Sequence, residues 1–236
     1  MISVQSISHS FGDWIALRNI SLELTEKRIA IIGANGGGKS TLARMLNGLL
    51  LPEQGKVLVN GIDTKLNPIE ARRNVGFIFS DADSQIIMPT VQEDVALGLR
   101  WKKLKKETVK AEVMQILKRF NLHRHADHPA HSLSRGQKQM LALASVLVTD
   151  PKILICDEPT TLLDFHNVKV FVKTIQSLEQ QVILLTHQLE IIEDFDRVLV
   201  VDQGQIYFDG KPAEAVQKYK ALVENRLAEQ YRDLVA

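Results

Sequence analysis

One cysteine, Cys156, stands among 236 residues. A lone cysteine cannot form an intramolecular disulfide, so covalent bracing is excluded and a reducing compartment is expected. Long hydrophobic runs are also missing. The longest, Leu141–Val148, falls well short of the ~18 residues that a membrane-crossing helix needs. The opening Met1-Ile-Ser-Val-Gln lacks the basic and apolar regions of a secretory signal, so any membrane role is expected to be that of a peripheral subunit. Charge of one sign is scarce as well. Lys and Arg number 29 against 28 Asp and Glu, a net charge of +1, which gives no global attraction to nucleic acid or anionic lipid. What remains, 45% hydrophobic and 24% charged residues, is the make-up of an ordinary globular protein, and the length suits one large α/β domain.

Short apolar runs supply the strands. Ser3–Ser10 and Ile20–Leu24 mix apolar and polar residues around a turn at Gly12-Asp13, as edge strands do. Arg28–Ile32, Val57–Asn60, Val75–Phe79, Ile153–Cys156, Val182–Leu185 and Val198–Asp202 read as further strands, mostly separated by helical patterns. Such alternation predicts a mainly parallel sheet with both faces covered. Between Val91 and Val148 the pattern is helical only, with helices expected at Val91–Leu99, Thr108–Phe120 and Ser134–Val148, so a helical subdomain inserted at about residues 91–148 is expected. The tail, from about 212 to 236, places Val216, Tyr219, Leu222, Val223, Leu227, Tyr231 and Leu234 at helical spacing and predicts an amphipathic helix packed on the body or on a second subunit.

Three clusters carry chemistry. Gly33-Ala34-Asn35-Gly36-Gly37-Gly38-Lys39-Ser40 fits G-x-x-x-x-G-K-[ST] between a strand and a helix, with Thr41 continuing the first turn. Glycines let successive backbone N–H groups wrap phosphate oxygens, Lys39 reaches the terminal phosphates, and the Ser40 hydroxyl suits Mg²⁺. The strand Ile153–Cys156 runs into Asp157 and Glu158, which at the carboxyl edge of a parallel sheet suit a metal ligand and a general base respectively. His187 follows the strand Val182–Leu185 onto that same edge, where it can bond a phosphate or the attacking water. A helix start at Ser134, with Gln137 three residues on, has the pattern of a capping box, yet Gly136 inside that first turn costs about 0.5–1 kcal/mol relative to alanine. A phosphate close to the helix end would account for the glycine.

Taken in order, these segments resemble the nucleotide-binding subunits of ABC (ATP-binding cassette) transporters over residues 1 to about 215. Gly33–Ser40 resembles the Walker A motif, Leu133–Gln137 the LSGGQ signature and Ile153–Glu158 Walker B; Thr161-Leu162-Leu163-Asp164 resembles the D-loop and His187 the switch histidine. Phe11 sits where the family places an aromatic on adenine. The resemblance implies a P-loop ATPase with an antiparallel N-terminal subdomain, MgATP as ligand, and a head-to-tail dimer. In that dimer Ser134, Gly136 and Gln137 of one subunit would close over the Walker A motif of another subunit, whether an identical copy or a paralogue. It also implies attachment to the cytoplasmic face of a membrane.

The segment Val75-Gly-Phe-Ile-Phe-Ser-Asp-Ala-Asp-Ser-Gln85, followed by Thr90-Val-Gln-Glu-Asp-Val-Ala-Leu-Gly98, is similar to the ATPases of energy-coupling factor (ECF) importers, and most to that of the biotin-uptake system. This implies two membrane partners, a coupling subunit and a substrate-binding subunit. Another ABC importer, for cobalt, nickel or a different vitamin, is the alternative within the family. A soluble cassette of DNA repair or translation fits 236 residues poorly, and a non-hydrolysing assembly module fits poorly with Glu158 and His187.

Three departures stand out. Ser80 replaces the metal-ligating glutamine of the Q-loop, with Gln85 as a partial substitute; Arg135 replaces the first glycine of the signature, and Gly37 a serine of Walker A. The basic run Arg100–Lys106 reads as a solvated linker, and His123, His125, His128 and His131 straddle Pro129 without regular ligand spacing.

Overall fold

The computed structural model describes residues 1–235, with side chains described through Tyr231. The chain starts as a hairpin of β1 (Ile2–Phe11) and β2 (Trp14–Leu24), then enters the interior as β3 (Arg28–Ile32) and leaves through a glycine-rich loop into α1 (Lys39–Leu46). β4 (Gln54–Val59) and the two-residue β5 (Ile62–Asp63) precede α2 (Pro68–Asn74) and β6 (Val75–Ile78). Three helices follow, α3 (Val91–Leu97), α4 (Lys106–Arg119) and α5 (Arg135–Leu147), before β7 (Ile153–Asp157). The last third holds α6 (Phe165–Gln176), β8 (Gln181–Leu185), β9 (Arg197–Asp202), β10 (Gln205–Gly210) and α7 (Pro212–Val235).

Two sheets result. The smaller has the order β2-β1-β4-β5 and is antiparallel throughout; the larger has the order β10-β9-β3-β8-β7-β6 and is parallel except for β10. The central strands are apolar at nearly every position because both of their faces are covered. Ala30 and Ile32 of β3 join Leu154, Cys156, Leu184 and Val200 in a core beneath α3 to α6, while Ile29 and Ile31 join Ile155, Ile183, Leu199 and Val201 against α1 and the smaller sheet. The strand period of two thus divides one apolar run between two cores.

The sequence-based expectations differ in several places. Val57–Asn60, expected among the parallel strands, belongs to β4 and pairs antiparallel with β1. β5, α2 and β10 were not expected; the polar edge strand β10 alternates between exposed and half-buried residues and has no apolar run to announce it. In α7, Val216 and Tyr219 pack on the core while Leu227 and Tyr231 are exposed, so only the first part of the apolar stripe is covered by this chain. Leu234's side chain and Ala236 lie outside the described residues. Among the described residues no helix is long and apolar enough to cross a membrane.

Candidate functional site

The sheet order sets the site. β3, β8 and β7 are parallel neighbours, so the glycine loop after β3, Thr186-His187 after β8 and Asp157-Glu158 at the end of β7 emerge at one edge. Between them lies a cavity of about 470 Å³ lined by Trp14, Asn35, Gly36, Gly38, Lys39, Ser40, Thr41, Ser80, Glu158 and Thr161.

The loop's backbone demands glycine at two points. At Gly33 the φ is +146°, and a Cβ would lie 2.0 Å from the Val201 carbonyl oxygen; at Gly38 the φ is +106°, and a Cβ would lie 2.7 Å from the Ala16 oxygen. Gly38 also precedes α1 with no side-chain cap, so the first N–H groups of that helix are left to a ligand or water. Lys39 is buried and donates from Nζ to the carbonyl oxygens of Gly33 (2.8 Å) and Ala34 (3.1 Å), with Glu158 Oε1 at 3.9 Å. Burial lowers its pKa, partly offset by the nearby Glu158 and Asp157 charges. Ser40 Oγ donates to Asp157 Oδ1 at 2.9 Å. Burial raises the Asp157 carboxyl above the usual carboxylate range, while the Ser40 bond and then Arg44 pull the other way. A hydroxyl beside a buried carboxylate at the mouth of a glycine loop fits a divalent cation, and the uncapped start of α1 with Lys39 fits a polyphosphate.

Glu158 sits at φ +54°, a left-handed conformation that costs a non-glycine residue about 1–3 kcal/mol. Its N–H donates to the Leu185 oxygen (3.1 Å), which fixes the turn at the strand end. Its carboxylate is well engaged: Oε2 lies 2.5 Å from His187 Nδ1 and accepts from Thr161 Oγ1 at 3.1 Å. Oε1 faces Lys39. The arrangement leaves one oxygen directed at the loop.

Ser80 lies at the cavity wall, where it joins Lys39 and Glu158. Gln85, expected to contribute to binding beside it, is placed elsewhere: its Nε2 donates to the Phe77 oxygen and its Oε1 accepts from the Phe79 N–H, both at 3.1 Å, so its amide braces the end of β6. Phe11 does not line the cavity either. It stacks on Trp14, with ring centroids 5.8 Å apart and planes at 17°, and Trp14 is the ring that lines the cavity. Sequence reasoning missed Trp14, although a tryptophan directly after the Gly12-Asp13 turn was a visible signal.

None of the residues lining this cavity comes from Ser134–Gln137. At the start of α5, Ser134 Oγ accepts from the Gln137 N–H (3.3 Å) and Gln137 Oε1 from the Ser134 N–H (2.9 Å), a reciprocal capping box. The glycine at 136 has an internal reason that the sequence did not reveal. A Cβ there would lie 2.2 Å from Asn167 Oδ1, and Asn167 is tied to Asp164, the N-cap of α6. No phosphate is needed to account for it. Two of the four histidines have local partners: His125 and His128 meet Nδ1 to Nδ1 at 3.0 Å, and Gln137 Nε2 lies 3.2 Å from His125 Nε2.

Known proteins agree with this geometry. The family model for the ABC transporter matches residues 17–161. A putative ABC transporter ATP-binding protein of Deinococcus radiodurans is 46% identical over 93% of this chain and 97% of its own length. The biotin transport ATP-binding protein BioM of Rhizobium etli is 44% identical over 94% of this chain and 98% of its own. Among solved structures, cbiO1 from Clostridium perfringens, part of the ABC transporter complex cbiONQ, superposes with a TM-score of 0.82 at 31% identity and covers 100% of this chain and 98% of that one. A dimeric ATP-binding cassette in a post-hydrolysis state, bound to ADP and Pi, gives a TM-score of 0.77 at 27% identity over 90% and 99% of the two chains. The chain therefore belongs to the ABC transporter ATP-binding family, and it is an ABC ATPase that hydrolyses ATP.

Proposed function

We propose that this chain is the motor subunit of an ECF-type importer, that of biotin uptake, working at the cytoplasmic face of the membrane with a coupling subunit and a substrate-binding subunit. The observation that carries the motor reading is the convergence on one cavity of Lys39, Ser40 and Glu158, with Asp157 bonded behind Ser40 and His187 behind Glu158. The biotin reading is supported by the relative from Rhizobium etli and by the likeness of Val75–Gly98 to the ECF branch.

The proposed division of labour follows the geometry. Lys39 exchanges its two carbonyl partners for phosphate oxygens, and the N–H groups of Gly36, Gly38 and Lys39 complete the cradle. Trp14, backed by Phe11, stacks on the adenine. Ser40, Asp157 and Ser80 would hold Mg²⁺, which when bound offsets charge on the phosphate oxygens. His187 Nδ1–H and Thr161 Oγ–H hold Glu158 Oε2, so that Oε1, once Lys39 turns to the phosphates, takes the proton from the attacking water. Ser134, Gly136 and Gln137 of a second copy close the site in a head-to-tail dimer.

Replacing Glu158 with Gln tests the base. We expect kcat to fall about 10²–10⁴-fold with ATP binding retained; an unaltered rate would remove Glu158 from that role. The cargo is tested by expressing the chain with its membrane partners in cells lacking endogenous biotin uptake and measuring labelled biotin accumulation. Uptake of Co²⁺, Ni²⁺ or another vitamin instead would keep the motor and replace the cargo.

A further inference from the structure

The geometry points to Arg226, about four turns into α7, as a positioning residue for nucleotide binding, acting through Asp202 on the backbone of the phosphate loop. Arg226 reaches the end of β9 and grips Asp202 with both terminal nitrogens, Nη1 to Oδ1 at 2.8 Å and Nη2 to Oδ2 at 2.5 Å. This planar, two-bond fork is the strong form of an arginine–carboxylate pair. The Asp202 side chain is only 11% exposed, which sets the pair apart from an open surface contact of little energetic consequence.

What Asp202 begins is a tight turn with no slack. Asp202 pairs with Gln205 across it, and both central residues lie at positive φ, Gln203 at +46° and Gly204 at +74°. The turn is wedged against the loop that holds the phosphates. The Gly204 N–H donates to the Gly37 oxygen at 3.0 Å, and its own oxygen accepts from the Arg18 N–H at 2.8 Å. On the loop side, Gly33 lies too close to the Val201 oxygen for any Cβ. Motion of the turn that Asp202 begins is therefore passed to Gly37 through the Gly204 hydrogen bond, and motion of β9 to Gly33 through the close contact with Val201.

Charge matters as well as shape. Arg226 and Asp202 line a second cavity, of about 390 Å³, shared with Arg18, Asn35, Gly36 and Gly37. Tyr219, two turns earlier on α7, feels the same carboxylate: burial first, then Asp202, raises its phenol pKa. With Arg226 in place the Asp202 charge is neutralised. Without it, a largely buried anion stands beside a loop built to receive phosphates, where repulsion is weakly screened. Loss of Arg226 therefore harms binding in two ways, by loosening the turn and by exposing the nucleotide to Asp202, and removing the Asp202 charge relieves the second.

The experiment uses the full chain and four forms: the parent, Arg226→Ala, Arg226→Lys and the double variant Arg226→Ala with Asp202→Asn. Calorimetric Kd values for ADP and ATP, kcat and KM for hydrolysis, and Tm without nucleotide are measured for each. Arg226→Ala is expected to weaken both nucleotides about five- to tenfold and raise KM in step, with kcat at saturation within about twofold. The double variant recovers most of that affinity although it carries one more lesion, and Arg226→Lys falls between. A lowered Tm with unchanged Kd values would overturn the proposal in favour of a purely structural brace. A double variant as weak as Arg226→Ala would also overturn it, because the Asp202 charge would then not be the route by which Arg226 acts on the nucleotide.

Discussion

Two helices of this chain begin at candidate phosphate sites, and they begin in opposite ways. α1 starts from Gly38 in a left-handed conformation with no side chain capping it, while Lys39 and Ser40 crowd the same turn. α5 starts from Ser134 and is capped by its own side chains through the reciprocal bonds with Gln137. A helix start without a cap leaves N–H groups whose natural partner is an anion, and the macrodipole adds to the attraction. A self-capped start is stable alone. The first is thus a site within one chain that a ligand completes, and the second is a surface ready to be brought against a ligand held elsewhere. That asymmetry accords with the proposal that only two copies make a full site.

The largest test of this contrast is Lys39→Ala. It removes the one buried ammonium from the α1 side, and we expect ATP affinity to fall at least about 100-fold, read by equilibrium binding of a fluorescent ATP analogue. On the α5 side, Gly136→Asp should leave ATP binding by the isolated chain within about twofold while turnover falls about 10²-fold. Mixing the Lys39→Ala and Gly136→Asp chains should restore part of the turnover, because one of the two sites in a mixed dimer then carries neither lesion. A Gly136→Asp chain that loses ATP binding by itself would break the comparison.

Smaller effects sharpen the α1 side. Trp14→Ala should weaken ATP about tenfold and Phe11→Ala about threefold, since Trp14 lines the cavity and Phe11 supports it from behind. An equal or reversed order would return the adenine face to Phe11. The smallest effect concerns stability. Burial raises the folded-state pKa of Asp157, so the stabilising, protonated form is present below the unfolded pKa and is lost as pH rises through the folded value. At pH 7 the ionised carboxylate therefore weakens the nucleotide-free fold. Asp157→Asn should raise Tm without nucleotide by about 2–4 °C at pH 7, a gain that shrinks toward pH 4. Calorimetry showing a fall in Tm would mean that the Ser40 bond outweighs the burial.

Much of the fold was legible because its signal is local. The parallel strands show as unbroken apolar runs, and the helices between β6 and β7 show as periodic ones. β10 and β5 were not legible, since an edge strand in water needs no apolar face and a two-residue strand has no period to detect. β4 was assigned to the wrong sheet because a strand's own residues do not state its neighbour. Within the site, Lys39, Ser40, Ser80, Glu158 and Trp14 share a cavity, and of these only Trp14 had escaped notice. Gln85 was misplaced for the converse reason. Its amide serves the backbone of the strand it follows, and an exposed amide and one bound at both ends look alike in a sequence.

By itself the sequence determined the phosphate loop, the carboxylates at the end of β7 and the cap of α5, each of which is set by backbone conformations and hydrogen bonds within a few residues. Tertiary structure alone decided which aromatic lines the cavity, why position 136 is glycine, and that Arg226 is joined to the loop through Asp202 and Gly204. Those outcomes depend on side chains and turns brought together from distant parts of the chain by the order of strands in the sheet, an order that no single segment encodes.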